Sequence, residues 1–277
     1  MSLAHTLVGQ ARSMVPASAL PAVSRARARA SWRQPNVRND AFEQMQFLLE
    51  QTRPDADLEQ VARAYVEFQV YRGELRWHPE QLTRFRVVGA DHLRGAKAKG
   101  RGVIVNFMHH GHYDGAFASL AVRHGETCQI VVYPYMLEPT AAPWLKQHVR
   151  VSLQGGGVAV SAAVGTGGML SLLGHGHTLA IASDVPGRTP VRFAGRDVLG
   201  SYGAARLAFE ARSPVVAITT ERDTDGPFIR VHPPMQPAGF DSPRALLEQI
   251  LAVHEEAILA WPEATDLPLS RWGTVQS

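Results

Sequence analysis

The stretch Val103-Ile104-Val105-Asn106-Phe107-Met108-His109-His110-Gly111-His112-Tyr113-Asp114 decides the fold of this 277-residue chain. Five largely apolar, β-prone residues lead into three histidines and a carboxylate, and an apolar helical pattern follows as far as Val122. This order predicts a buried strand that carries a reactive loop to one edge of a sheet. Open α/β sheets place their binding and catalytic residues at that edge.

Short apolar runs alternate with helical patterns on both sides of this stretch. Strands are predicted at residues 85–88, 128–133, 149–153, 178–183, 191–195, 214–219 and 228–231, and helices at 91–98, 116–123, 138–148, 160–174, 201–212 and 242–259. Helical spacing at 41–52 and 58–70 predicts an N-terminal helical cap. The short links predict an α/β fold with a mostly parallel central sheet and helices on both faces.

Positive charge is concentrated at the N-terminus. The net charge of the chain is +3. Residues 1–39 contain no Asp or Glu, and they contain six arginines, namely Arg12, Arg25, Arg27, Arg29, Arg33 and Arg38. Residues 1–38 mix Ala, Ser, Pro and Arg without a sustained period, so we predict a basic arm that is flexible or adsorbs to an anionic membrane surface. Residues 39–277 are predicted to form a single domain.

Composition narrows the class of protein further. No run of about 18 apolar residues is present, so we expect a cytoplasmic protein that is peripheral on the inner face of the cell membrane. The part after the arm has no basic stripe with interleaved aromatic residues, so a nucleic-acid partner is not expected. Cys128 is the single cysteine, which excludes an intramolecular disulfide and a cysteine-based zinc site.

Two kinds of chemistry suit the histidine cluster: the imidazoles can bind a metal, or one can act as a base oriented by a carboxylate. His110-x-His112-x-Asp114 resembles the His-x-His-x-Asp order of metallo-β-lactamase-like hydrolases. That family continues with a histidine where this chain has Gly115. A metal-dependent hydrolase using His110, His112 and Asp114 is therefore the alternative hypothesis.

The leading interpretation begins one histidine earlier. His109-x4-Asp114, with Gly111 and Tyr113, resembles the His-x-Gly-Asn-Trp-Asp/Glu motif of lipid A biosynthesis and phosphatidylinositol-mannoside acyltransferases, a branch of the lysophospholipid acyltransferase-like superfamily. The resemblance extends from about residue 38 to the C-terminus. Its supporting segments are 100–104, 174–184, 191–195, 207–216 and 261–272.

The resemblance implies an enzyme of lipid biosynthesis that transfers a fatty acyl group from acyl-CoA or acyl carrier protein. The acceptor would be a hydroxyl or amine on a lipid, glycolipid or other amphiphile, and no metal or organic cofactor is required. His109 would be the general base, with Asp114 holding its other ring nitrogen. The spacing of five requires a turn, which we place at Gly111. His110 and Asp114 have the helical spacing of four, so the swapped assignment stays open.

Other residues complete the predicted site. Asp184 follows a buried strand and is expected at the same sheet edge, where the resemblance suggests a second carboxylate orienting His109; the alternative is a turn residue that caps local amides. Gly111, His112 and Tyr113 are candidates for substrate binding. Arg150 and Arg188 are candidates for contacting the thioester, a phosphate or the acceptor. The sequence does not identify the acceptor or the acyl chain length.

Overall fold

The computed structural model describes residues 11–274, and helices surround its central sheet. The helices are α1 (Leu20–Trp32), α2 (Pro35–Leu49), α3 (Leu58–Leu75), α4 (Pro79–Leu82), α5 (Ala90–Lys97), α6 (Tyr113–His124), α7 (Pro143–Ser152), α8 (Gly165–Gly174), α9 (Gly203–Ala211), α10 (Pro243–Ala260) and α11 (Pro268–Arg271). Short 3₁₀ turns lie at Ala17–Ala19, Pro134–Met136, Ala162–Val164, Pro237–Gly239 and Pro262–Ala264.

The strands form two sheets. They are β1 (Arg86–Val88), β2 (Val103–Phe107), β3 (Gln129–Val132), β4 (Val158–Ser161), β5 (Thr178–Ala182), β6 (Thr189–Phe193), β7 (Arg196–Gly200), β8 (Val215–Asp223), β9 (Gly226–Val231) and β10 (Gly273–Thr274). The larger sheet has the order β1-β9-β8-β2-β5-β3-β4, and the pairs are parallel except β8 with β9. Strands β10, β7 and β6 form a small antiparallel sheet. The predicted mostly parallel α/β architecture is confirmed.

Strand β2 sits at the centre of the larger sheet, and its side chains alternate between two apolar layers. Ile104 packs in the layer that contains α2, α3, α9 and α10. Val103 and Val105 pack on the other face with residues of α5 and α6. All five residues of β2 are buried. This placement fixes the end of β2, and therefore the start of the histidine loop, between neighbouring strands on both sides.

Two parts of the sheet differ from the sequence prediction. Residues 149–153 were predicted as a strand, but α7 runs through Ser152 because Leu145, Val149 and Ser152 recur on one helical face towards the core. Strands β4, β7 and β10 were not predicted, and β6 was predicted only in part, at 191–195. Strand β4 has four residues and follows a Gly-rich segment, and β6 and β7 mix exposed with buried positions, so none of them has a long apolar run.

The predicted N-terminal arm is helical where the structure describes it. Leu20, Ser24 and Ala28 recur every four residues and are buried against the rest of the protein, and Arg27 pairs with Glu74 of α3. Residues 20–32 of the predicted arm therefore form a helix that docks through a narrow stripe of three residues. Residues 1–10 lie outside the described part, and adsorption to a membrane stays a prediction.

A buried ion pair joins the helical cap to the C-terminal segment. Arg72 of α3 is 4% exposed and pairs with Asp266, and its Nη2 also donates to Oε1 of Gln69 at 2.7 Å. Gln69 Nε2 donates to the carbonyl oxygen of Thr265 at 2.9 Å. These contacts hold residues 265–271 beside the end of β2, where they become part of the site described below.

We expect Arg72→Met to lower the free energy of unfolding by about 3 kcal/mol, because removing one partner of a buried pair leaves the other charge with incomplete compensation. Urea denaturation measures the change. The matched control is Arg244→Met, which breaks the exposed pair of Arg244 with Glu248 and should cost less than about 0.5 kcal/mol. Equal effects of the two substitutions would contradict the role given to Arg72.

Candidate active site

The parallel pairing of β2 with β5 brings two separate loops together. Phe107 at the end of β2 lies opposite Ala182 at the end of β5, and the N–H of Ser183 donates to the Phe107 carbonyl at 3.1 Å. His109 and Asp184 each lie two residues beyond these paired strand ends. The predicted meeting of these residues at one sheet edge therefore follows directly from the register of two adjacent strands.

Asp184 binds His109 through both carboxylate oxygens. Nδ1 of His109 lies 2.8 Å from Oδ1, and the backbone N–H of His109 donates to Oδ2 at 2.8 Å. Arg271 places its Nε 3.6 Å from the same Oδ2. A carboxylate held this way accepts a hydrogen bond from Nδ1–H, which leaves Nε2 as the ring nitrogen with a free lone pair.

Burial and charge set the protonation states of this pair. Burial lowers the pKa of His109 below its ordinary value, and the opposing attraction of Asp184 offsets only part of that effect. Burial alone would raise the pKa of Asp184, but His109 and Arg271 hold that pKa below its usual range. At neutral pH the pair is thus a neutral imidazole beside an ionised carboxylate, the state that a general base requires.

The predicted pairing of His109 with Asp114 is wrong. Asp114 lies in the first turn of α6, where its fully buried carboxylate accepts from Nε of Arg76 at 2.9 Å. Nδ1 of His148 lies 2.9 Å from the other oxygen of Asp114. The chain does turn at Gly111, which has φ 60° and whose Cβ, if present, would lie 2.5 Å from Cβ of Thr220. That turn sends the two side chains to different partners.

The other two histidines are also engaged elsewhere. Nε2 of His110 lies 2.9 Å from the Trp261 carbonyl oxygen, so the swapped pairing of His110 with Asp114 is wrong as well. The ring of His112 stacks on Phe85 at 4.6 Å between centroids and also contacts Phe68. Burial lowers the pKa of His112 to about 3 and that of His110 to about 4, so both rings are neutral.

The metal-hydrolase alternative needs His110, His112 and Asp114 to converge on one point, and their partners lie in different directions. Within residues 11–274, no three His, Cys, Asp or Glu side chains are grouped so that they could hold a metal ion. The positions of these three side chains therefore do not support a metal site made of His110, His112 and Asp114.

An apolar cavity of about 250 Å³ opens beside His109. Its walls come from α6, β3, α7, α8, β5 and α9, and four polar rings, those of His109, Tyr113, Tyr133 and His148, line it. The apolar lining includes Phe107, Phe117, Ile130, Val131, Val149, Met169, Ile181, Val185 and Leu207. A cavity with a long apolar wall and a few polar groups at one place suits a ligand with a hydrocarbon chain and one reactive end.

The remaining predicted site residues divide between this cavity and other positions. Tyr113 lines the cavity, and its ring meets that of His109 edge-on at 4.7 Å. Gly111 and His112 are buried outside the cavity lining, and Gly111 donates its N–H to the Ala264 carbonyl. Arg150 and Arg188 are exposed and do not belong to the cavity lining. Binding of substrate by these residues stays a prediction.

Four residues near the site were missed in the sequence. Arg271 bridges Asp184 and Asp266, donating to the Asp266 side chain at 2.5 Å. Arg76 and His148 flank Asp114. Apart from the contact of Arg271 with Asp266, five residues away, the partners are distant in sequence, so no local spacing identifies the pairs. Only the position of His148 at the end of a predicted helix indicated a place near the sheet edge.

Comparisons with known proteins give three findings. The family model for bacterial lipid A biosynthesis acyltransferase matches residues 50–272. Among solved structures, the chain is similar to the 1-acyl-sn-glycerophosphate (LPA) acyltransferase PlsC from Thermotoga maritima, with a TM-score of 0.44 and 15% identity over 87% of this chain and 95% of that one. No curated protein matches the chain.

We expect the His109 ring to titrate below its ordinary value of about 6.5, because burial disfavours the imidazolium. NMR titration of ¹⁵N-labelled histidine side chains measures the pKa. Asp184→Asn removes an influence that raises the pKa, so in that variant the titration moves further towards acid. A rise of the His109 pKa in Asp184→Asn would contradict the assigned contact.

Proposed function

The chain belongs to the bacterial lipid A biosynthesis acyltransferase family and is an acyltransferase, and we propose that it moves a fatty acyl group from acyl-CoA or acyl carrier protein to a hydroxyl or amine of a lipid, glycolipid or other amphiphilic acceptor. The observation that carries this proposal is His109 on the wall of an apolar cavity, with its Nδ1 bound by the buried Asp184. The family supports acyl transfer, and the geometry supports a base-catalysed route.

In this proposal His109 activates the acceptor. An alcohol is a weak nucleophile at neutral pH, so Nε2 of His109 takes the acceptor proton while the acceptor oxygen attacks the thioester carbonyl. Asp184 fixes the tautomer and stabilises the imidazolium that forms. The acyl chain lies in the apolar cavity, so its carbonyl is presented at the end where the polar rings cluster.

Direct attack by the acceptor fits the side chains near His109. Burial raises the pKa of the Cys128 thiol to about 12, so that thiol is not ionised at neutral pH. Two serines line the cavity, but Ser152 donates to the His148 carbonyl and Ser201 accepts from the N–H of Gly203. Among the described residues no serine is hydrogen-bonded to His109, so a ternary complex without an acyl-enzyme is the proposed route.

We expect His109→Ala to lower the rate of thioester cleavage by about 10³-fold and Asp184→Asn by roughly 10²- to 10⁴-fold, because the first loses the base and the second loses its tautomer control. Thiol release from acyl-CoA and from acyl carrier protein measures the rate. His175→Ala, which removes an exposed imidazole, is the matched control and should keep the wild-type rate.

The same assay separates this function from metal-dependent hydrolysis. A chelator should leave the rate unchanged, and substitution of either residue of the pair should reduce it. If a chelator abolishes cleavage, or if His109→Ala retains the full rate, general-base acyl transfer is not the activity of this cavity.

We further propose that the protein is peripheral on the cytoplasmic face of the cell membrane. Helix α1 buries Leu20, Ser24 and Ala28 and turns Arg25 and Arg29 to solvent. Basic residues near anionic headgroups each contribute about 1 kcal/mol of binding. None of the helices in residues 11–274 is both long and apolar enough to cross a membrane.

The cavity mouth adds apolar contact area to this proposal. Tyr133 lines the cavity yet is 41% exposed, and Tyr135 and Trp144 nearby in sequence are 54% and 58% exposed. The rings of Tyr133 and Tyr135 stack at 5.6 Å. Exposed aromatic side chains are typical of residues that lie at the level of lipid headgroups. An amphiphilic acceptor would then reach the cavity from the lipid surface.

Replacing Arg25, Arg29 and Arg33 together by Gln should weaken binding to anionic vesicles by about 100-fold, because three contributions of about 1 kcal/mol are lost. Cosedimentation with phosphatidylglycerol-containing vesicles measures the binding, which should also weaken as salt rises. The matched control replaces three exposed arginines elsewhere, Arg53, Arg206 and Arg244. Equal losses in both triple variants, or no loss in either, would contradict adsorption through α1.

A further inference from the structure

A second imidazole–carboxylate pair borders the same cavity as His109 and Asp184. His148 lines the cavity, and its Nδ1 lies 2.9 Å from Oδ1 of Asp114. The side chains of His148 and His109 are 14% and 16% exposed, so a ligand in the cavity has nearly the same access to both rings. Asp114 and Asp184 are both buried behind their histidines.

The Tyr113 ring contacts both histidines. It meets His109 at 4.7 Å and His148 at 5.7 Å, edge-on in both cases. All three rings line the same cavity, so both imidazoles border the space beside one aromatic ring. A thioester carbonyl bound beside Tyr113 would therefore have two imidazoles near it, one to take the proton of the attacking group and one to serve the departing group.

The contact between His148 and Asp114 is close but not fully aligned. Nδ1 of His148 and Oδ1 of Asp114 are 2.9 Å apart, yet both are buried polar atoms without a hydrogen-bond partner of good geometry. Buried groups in this condition call for an explanation, and binding sites are where such groups occur. A small rotation of the His148 ring towards a ligand in the cavity would complete the hydrogen bond to Asp114.

The surroundings of Asp114 keep it ionised. Burial alone would raise its pKa, but Arg76 and His148 hold that pKa well below its usual value. Arg76 Nε binds the other oxygen of Asp114 at 2.9 Å, and Gln147 anchors α7 by donating to the Arg76 carbonyl. With the ionised Asp114 carboxylate beside Nδ1, Nε2 of His148 is the ring nitrogen left to meet a ligand in the cavity.

We propose that His148, supported by Asp114, is a catalytic residue that donates a proton to the sulfur leaving group of the acyl thioester. This inference rests on the acyl-transfer function proposed above. It identifies the residue of that site that acts on the thiol released from the acyl donor. Arg76 alone would be enough to compensate the Asp114 charge inside the protein. An imidazole at the cavity wall adds a proton donor, which a purely structural pair does not require.

In the proposed reaction, the acceptor O–H proton passes to Nε2 of His109 as the carbon–oxygen bond forms, and the carbon–sulfur bond then breaks. The departing sulfur takes a proton from Nε2 of His148, so the products are an ester and a free thiol. His109 ends protonated and His148 neutral, and exchange of protons with solvent restores both rings.

Leaving-group dependence tests this role. A thiol with a low pKa leaves readily as a thiolate without a proton donor, whereas the alkyl thiol of CoA benefits from one. His148→Gln should therefore lower cleavage of acyl-CoA by about 100-fold and change cleavage of the matching acyl 4-nitrothiophenyl thioester less than threefold. His109→Ala should slow both substrates, and His175→Gln, an exposed control, should slow neither.

The outcomes distinguish the role of His148 from the proposed function. Equal loss on both thioesters in His148→Gln, or loss on neither, would overturn the role of His148 while leaving acyl transfer in place. Wild-type protein that cleaves neither thioester would overturn the proposed function and this inference with it. Thermal unfolding of His148→Gln and of a second variant, His148→Phe, must match wild type; a selective loss on acyl-CoA in both folded variants supports proton donation.

Discussion

The carboxylate of Asp184 is the constraint on which the site depends. It accepts one hydrogen bond from the imidazole of His109 and another from the backbone N–H of the same residue, so it fixes both the ring and the chain that carries it. The arrangement is possible because β2 and β5 are adjacent and in parallel register at Phe107 and Ala182. A shift of one residue between these strands would move every side chain to the opposite face and separate the pair.

A chain of charges extends this constraint to the helical cap. Arg271 contacts Asp184 and Asp266, and Asp266 pairs with Arg72 of α3. Burying several charges is costly, and apolar residues of similar volume often stabilise a protein as well or better. We therefore interpret the network as positioning Asp184: it connects the helical cap and the C-terminal segment to the carboxylate that orients His109. Stability of the cap and geometry of the site are coupled through these contacts.

Local patterns predicted most of the fold and part of the site. All five residues of β2 and the first four of β5 are buried, so each strand was recognisable as an apolar run in the sequence, and parallel pairing placed the residues after them together. Helix α1 was missed because its buried stripe consists of Leu20, Ser24 and Ala28, which is too weakly apolar to stand out. The strand predicted at 149–153 failed because Val149 and Val151 are β-prone in isolation but lie in a helix that covers the cavity.

The partner of His109 shows where local reasoning ends. Sequence proximity favoured Asp114, but the positive φ at Gly111 begins α6 in a direction that carries Asp114 towards Arg76. The same event gives the site two imidazole–carboxylate pairs instead of one. Burial keeps the first imidazole neutral, and the second imidazole lies beside the ionised Asp114, whose charge Arg76 compensates. Acyl transfer needs a proton removed at one end of the reacting carbonyl and supplied at the other. In the proposed reaction the two histidines that contact Tyr113 divide these tasks, with His109 removing the proton and His148 supplying one.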